Sequence, residues 1–185
     1  NLLGEIGKGH KVAFNVLNYG RFKLGASTAG GGQNAIRESA HYATHRQQFG
    51  QAINNFGAIK HKLGEMTVRA YAVESMVFRT AGLIDEALAR DDQDTKDEAA
   101  KSAAVLEALE EFAVESSILK VAGSEALDYI LDENIQIHGG NGFVKDYPAE
   151  RHYRDSRVNR IFEGTNEINR LLISGMLIKR ATKGQ

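Results

Sequence analysis

The residues best suited to chemistry fall in one short phrase, 161–170, which reads Ile-Phe-Glu-Gly-Thr-Asn-Glu-Ile-Asn-Arg. Glu163 follows two apolar side chains, Ile161 and Phe162, and precedes Gly164, Thr165 and Asn166. From there the apolar spacing turns helical through Ile168, Leu171, Leu172, Met176 and Leu177. Thr165 or Asn166 can cap that helix, and Glu167 suits its positive first turn. Glu163 is therefore expected just before a helix N-terminus, on a turn relieved by glycine. A carboxylate held against apolar neighbours has its ionised form disfavoured, the setting in which it can take a proton near neutral pH.

Upstream, 136–143 reads Gln-Ile-His-Gly-Gly-Asn-Gly-Phe, a glycine-rich loop through which backbone can approach a bulky ligand closely. The elements that must position these pieces are helices. The first is expected over 10–45, with Val12, Phe14, Val16 and Leu17 giving it apolar character. Gly20, Gly25 and Gly30–Gly32 would each weaken an exposed helix by roughly 1 kcal/mol relative to Ala, so a close approach by another element is expected there. The second helix, 56–90, carries an apolar stripe at Ile59, Leu63, Met66, Ala70, Val73, Val77, Ala81 and Ile84. A polar linker is expected at 91–95. A third helix follows over 95–134, bent near Gly123, with Leu106, Leu109, Phe112, Ala113, Ser116, Leu119 and Val121 facing inward. A loop at 144–148, a short helix over 149–159 and a last helix over 166–182 complete the chain. No strand pattern stands out. The fold class expected is all-α, an up-and-down bundle of four to five helices.

The phrases QIHGGNGF, YPAERHYRDSR and IFEGTNEINR, taken together with HRQQFGQAINNFGAIKHKLGEM, resemble the C-terminal domain of the acyl-CoA dehydrogenases. These are FAD enzymes that desaturate acyl-CoA thioesters. NYGRF, NFGAIKHKL and IFEGTNEI are most similar to the very-long-chain branch. The resemblance implies a reaction, α,β-dehydrogenation of a fatty acyl-CoA to the trans-2-enoyl-CoA. Glu163 would remove the α-proton while the β-hydrogen leaves as hydride to N5 of FAD. The flavin ribityl hydroxyl and the Glu163 backbone N–H would hold the enolate-like oxygen. Part of the family carries its base on the first helix just before an arginine; that place is Gly20 here, next to Arg21.

Further roles follow from the same likeness. Asn18, Tyr19 and Arg21, with Phe162 and Gly164, are expected at the substrate mouth. Arg46, Gln48 and Phe49 would reach the FAD of a neighbouring subunit, Arg46 towards its pyrophosphate, since a guanidinium fork suits phosphate oxygens. Phe56 and Ile59 would add apolar contact. Gln136, Ile137, Gly139 and Gly140 match the adenylate-side loop, again across the interface. Thr165 and Glu167 match positions beside the FAD phosphate or ribityl groups, although a second carboxylate would repel phosphate and is expected to point away. The implied partners are the fatty acyl-CoA, electron-transfer flavoprotein as acceptor, and a second copy of the chain in a homo-oligomer (dimer or tetramer). A different reading is a catalytically inactive helical domain kept for oligomerisation or interaction.

Composition narrows the rest. The 185 residues suffice for one domain with a real core, and Lys+Arg of 23 against Asp+Glu of 24 gives a net charge of −1, so no nucleic-acid partner is expected. Without cysteine there is no disulfide framework and no thiolate metal site. His41 and His45 share a helical spacing but have no acidic third ligand nearby, so no metal is assigned. Arg151, Arg154, Arg157 and Arg160 recur every three residues and are expected to pair with Glu150, Asp155 and Glu163. The opening lacks a Met and a targeting pattern. We read 1–9 as a lead-in from a missing β-domain and 10–185 as the C-terminal helical-bundle domain of a larger subunit, inactive by itself. Its location would be cytoplasmic in a bacterium and the mitochondrial matrix in a eukaryote.

Overall fold

The computed structural model describes residues 2, 6–91 and 98–184, with backbone alone at 91 and 98–100. Six α-helices make up the described chain: α1 (Gly9–His45), α2 (Gly57–Asp91), α3 (Glu98–Glu111), α4 (Ala113–His138), α5 (Ala149–Ser156) and α6 (Asn166–Thr182). Most of the linker expected at 91–95, and residues 1 and 3–5 of the expected lead-in, lie outside the described residues. The all-α bundle is as the helical periodicities imply. α4 is its axis, packed against α1, α2, α5 and α6.

Near the C-terminal end of α1 the core is apolar. Ala35, Ala43, Met66, Ala70, Leu127, Ile130, Leu131 and Ile137 form one buried cluster, with Ile59, Leu63 and Tyr42 packed around it. The stripe read on α2 supplies its share, with Met66, Ala70 and Val73 buried. Towards the other end of α1 and α4 the interior becomes polar, with Asn18, Arg21, Thr28, Ser116, Ser117, Lys120, Ser124, Asn166 and Asn169 all buried. An interior that takes in so many polar groups must pair most of them, and this is where the Glu163 turn sits.

The third helical region departs from expectation. It breaks at Phe112, between α3 and α4, and continues unbroken through Gly123 to His138. Gly123 serves proximity instead. A Cβ there would strike Thr28 Oγ1 and lie 3.5 Å from the Gly25 Cα, while one on Gly25 would lie 2.9 Å from the Leu119 Cβ. The two glycines let α1 and α4 nearly touch. Gly123→Ala is accordingly expected to lose about 1–3 kcal/mol of stability by overpacking, read as a lower denaturation midpoint of the complete subunit. Leu106 is also corrected: it is exposed, whereas Leu109 faces inward as expected and Ala108 joins it.

The connection from α1 to α2 contains a small hairpin that no strand pattern announced. Gln47–Gln48 (β1) pairs antiparallel with Gln51–Ala52 (β2) around Phe49 and Gly50, whose φ values are +52° and +80°. Two left-handed residues in succession make the turn whose twist suits a two-residue hairpin. The arginine strip is a further correction. Arg160 pairs with Asp128 on α4 at 3.3 Å. Arg151, Arg154 and Arg157 are exposed, and among the described residues none of the four pairs with Glu150, Asp155 or Glu163.

Candidate active site

Glu163 sits where a 3-10 turn at Arg157–Arg160 gives way to α6. Its φ is +57° and that of Gly164 is +83°, a left-handed pair that turns the chain abruptly into the helix. A non-glycine residue in this region is held there only if its surroundings insist. They do. Arg21 Nε donates to the Glu163 carbonyl at 3.0 Å, and Asn169 Nδ2 lies 3.4, 2.8 and 3.1 Å from the carbonyl oxygens of Glu163, Gly164 and Thr165. Thr165 caps α6, its hydroxyl accepting from the Ile168 N–H at 3.3 Å.

The turn throws the Glu163 side chain against α1. A Cβ built on Gly20 would be 2.7 Å from the carboxyl carbon and from each of its oxygens, so the carboxyl lies flat over the glycine. Glu163 Oε2 is buried and has no hydrogen-bond partner in the protein. Val16, Tyr19, Gly20, Lys23, Leu24, Ser27 and Phe162 complete an open cleft of about 350 Å³ at this carboxyl. Tyr19 and Phe162 thus stand at its mouth. Asn18 does not: it is buried behind Arg21, accepting from Nη1 at 3.3 Å. Arg21 is equally enclosed, and loss of solvent pushes its affinity for the proton down while the Glu163 charge pushes it back up.

Below the turn lies Lys120 of α4, fully buried. Its ammonium donates to the Gly164 carbonyl at 2.8 Å and to Asn166 Oδ1 at 2.7 Å. Asn166 Nδ2 in turn donates to Ser124 Oγ at 3.0 Å and Glu125 Oε1 at 3.1 Å. Glu125 also receives Arg170 of α6 at 2.8 Å, and that hydrogen bond holds its carboxyl below the ordinary range. Sequence reasoning missed Lys120 and Asn169, and read Asn166 only as a possible helix cap. The signal was present: Ser116, Lys120 and Ser124 recur at four-residue steps along one face of the helix, in line with Phe112, which is expected to face inward, and Asn166 and Asn169 at a three-residue step. Glu167 is exposed; its own backbone N–H and the Thr165 hydroxyl hold its carboxyl below the ordinary range.

At the far end of α1 a second cleft, about 480 Å³, gathers Arg46, Gln48, Phe49, Phe56, Ile59, Ile137, Gly139 and Gly140 with Tyr42 and His138. Gln136 is exposed on the last turn of α4 and does not line it. Phe49 is 91% exposed and meets Phe56 edge to face at 6.1 Å. Arg46 makes no ion pair among the described residues. At 1.5 Å per helical residue, Arg21 and Arg46 are about 37 Å apart along α1.

The family model for the acyl-CoA dehydrogenase C-terminal domain matches residues 7–178. The chain belongs to that family. It is 50% identical over all 185 residues to a probable acyl-CoA dehydrogenase of Bacillus subtilis, and covers 31% of that protein. It is 43% identical over 174 residues to the mitochondrial very long-chain specific acyl-CoA dehydrogenase of Rattus norvegicus, covering 94% of this chain and 23% of the rat protein. Among solved structures, the acyl-CoA dehydrogenase of Bacillus anthracis complexed with FAD matches with a TM-score of 0.94 and 52% identity, over 100% of this chain and 31% of the other. The chain therefore spans about a quarter to a third of the length of these relatives.

FAD is the cofactor that goes with this membership. The second cleft of the dehydrogenase domain fits a dinucleotide's phosphate-bearing end. It offers an unpaired guanidinium, the aromatic rings of Tyr42, Phe49 and Phe56, and open space over Gly139 and Gly140, where added Cβ atoms would meet nothing within 4 Å. Space over residue 20 is already taken by the Glu163 carboxyl, so a side chain there and a glutamate at 163 compete for one volume. No helix among the described residues is long and apolar enough to cross a membrane.

Proposed function

We propose that the subunit to which this domain belongs is a fatty acyl-CoA dehydrogenase with Glu163 as its α-proton-abstracting base. The observation that carries this reading is the buried Glu163 Oε2, which has no donor from the protein and borders an open, aromatic-rimmed cleft. An unspent carboxylate lone pair beside a cleft is poised to accept a proton brought by a ligand. An acyl-CoA seated there would have its α-carbon against this oxygen, with Tyr19 and Phe162 excluding water. The α C–H bond breaks, its proton goes to Glu163, and its electron pair forms the Cα–Cβ double bond as the β-hydrogen departs with its own pair. FAD, when bound, supplies the acceptor for that hydride. Arg21 keeps the Glu163 turn in register through its hydrogen bond to the carbonyl.

The separation of the two clefts supports a homo-oligomer. Residues about 37 Å apart on one helix cannot both touch one dinucleotide from the same chain, but two chains side by side can. The second cleft then serves the flavin of a neighbouring subunit, as the resemblance implies for Arg46, Gln48, Phe49 and the 136–140 loop. Electron-transfer flavoprotein is the acceptor that this reading entails.

The complete wild-type subunit is expected to exchange the α-hydrogens of a bound acyl-CoA with deuterium from solvent, and a Glu163→Gln subunit is not. Equal exchange in both would remove Glu163 as the base. The 185-residue domain alone is expected to retain FAD weakly or not at all, because one cleft on one chain meets only part of the cofactor. Spectrophotometric titration checks this, and a tight stoichiometric yellow complex would contradict it.

A further inference from the structure

Lys120 is an expensive residue to keep where it is. Its side chain is fully buried, and among the described residues no carboxylate lies within ion-pair distance of it. Enclosing an ammonium costs several kcal/mol unless hydrogen bonds and nearby charge compensate. A methionine would fill the volume without that cost, so packing does not explain a lysine here. Loss of solvent and the Arg21 charge push its proton affinity down, while Glu167, Glu163 and Glu125 push it back up.

The ammonium is aimed at the turn. Its acceptors are the Gly164 carbonyl and the side chain of Asn166, the first residue of α6. Asn169, also fully buried, brings its amide to the carbonyls of Glu163, Gly164 and Thr165. Three consecutive carbonyls in a left-handed turn thus converge on two buried side chains. Such convergence is what a residue at φ +57° requires to stay there, since the strain is of order 1–3 kcal/mol.

We propose that Lys120 and Asn169 are positioning residues for Glu163: from beneath the turn they fix the Glu163-Gly164-Thr165 backbone so that the carboxyl is presented over Gly20 towards the cleft. The inference rests on Glu163 being the base. Neither side chain touches the cleft; both act through the backbone of the residue that does. The device accounts for Lys120 and Ser124 on the inner face of α4, since both bond to Asn166 at the start of α6, where the bundle elsewhere uses Leu127, Ile130 and Leu131.

The test uses the complete, FAD-loaded and assembled subunit carrying Lys120→Met or Asn169→Ala. Lys120→Met is expected to lower kcat by about 10- to 100-fold, since a displaced catalytic group loses rate on that scale, with KM within about threefold of wild type. Proton abstraction should become more rate-limiting, so the isotope effect with α-deuterated acyl-CoA should rise. Backbone amides at 163–166 should exchange hydrogen faster at unchanged flavin content. Asn169→Ala should move kcat, the isotope effect and amide exchange the same way, about tenfold in kcat. If Lys120→Met does not assemble, Asn169→Ala, which keeps the lysine, decides between the outcomes. Wild-type kcat and isotope effect in assembled variants would overturn the proposal, as would a loss of kcat with no change in isotope effect or amide exchange. If these variants stay active while Glu163→Gln is dead, only the clamp is wrong; if Glu163→Gln is active too, the base assignment itself has failed.

Discussion

Glu163→Gln in the complete subunit is expected to lower kcat by about a thousandfold or more, with folding, assembly and flavin content preserved. General-base catalysis contributes roughly 10²- to 10⁴-fold, and an amide cannot take the proton. The substitution is isosteric, so the side chain can still lie flat over Gly20 and fill the same volume. Its structural effect is small because Oε2 has no hydrogen bond to lose, and the left-handed turn is held by backbone carbonyls that glutamine retains. Substrate should still bind, since Tyr19 and Phe162 are untouched; KM is expected to stay within a few-fold while kcat collapses, the signature of an interaction used only in the transition state. Steady-state turnover of matched flavin-loaded preparations is the measurement. Equal rates would leave a catalytically inactive oligomerisation or interaction domain as the better description of the chain.

The parts of this arrangement that could be read from the sequence are those set by local periodicity. The α2 stripe, the extent of α6 and its Thr165 cap follow from spacing and capping chemistry, and the structure has them in place. What escaped depends on partners distant in sequence. Gly123 reads locally as a helix weakener, yet its reason is Thr28 and Gly25, a neighbouring helix away. Lys120 reads as a solvated lysine; only α6, more than forty residues later, turns it into a buried donor. The Phe49-Gly50 turn carries no Asn-Gly signal, since a phenylalanine at positive φ is an unfavourable choice locally. The arginines of 151–160 failed in the opposite sense: interleaved opposite charges invite pairing on paper, but Arg160 reaches across to Asp128 and the others face solvent. Local rules held where spacing within one element decided the outcome and failed where the deciding partner lies on another element.

Gly20→Ala separates the position of the base from its chemistry. The added methyl carbon would sit 2.7 Å from the Glu163 carboxyl carbon and both oxygens, against an ordinary contact of about 3.5 Å or more, so something must move by most of an ångström. The carboxyl is the far end of a flexible side chain, and it will yield before the α1 backbone does. The fold therefore loses little. Replacing a mid-helix glycine with alanine favours the helix by up to about 1 kcal/mol, so the thermal midpoint should hold or rise. Catalysis should not be spared, because displacing a reacting group by about 1 Å can cost on the order of 100-fold. We expect kcat to fall on that scale in a protein at least as stable as wild type. Gly30→Ala, on the same helix with nothing within 4 Å of the new methyl, is the control and should leave kcat unchanged. If Gly20→Ala turns over like its control, the carboxyl is free to work from elsewhere, and the tight placement over α1 has no bearing on the reaction.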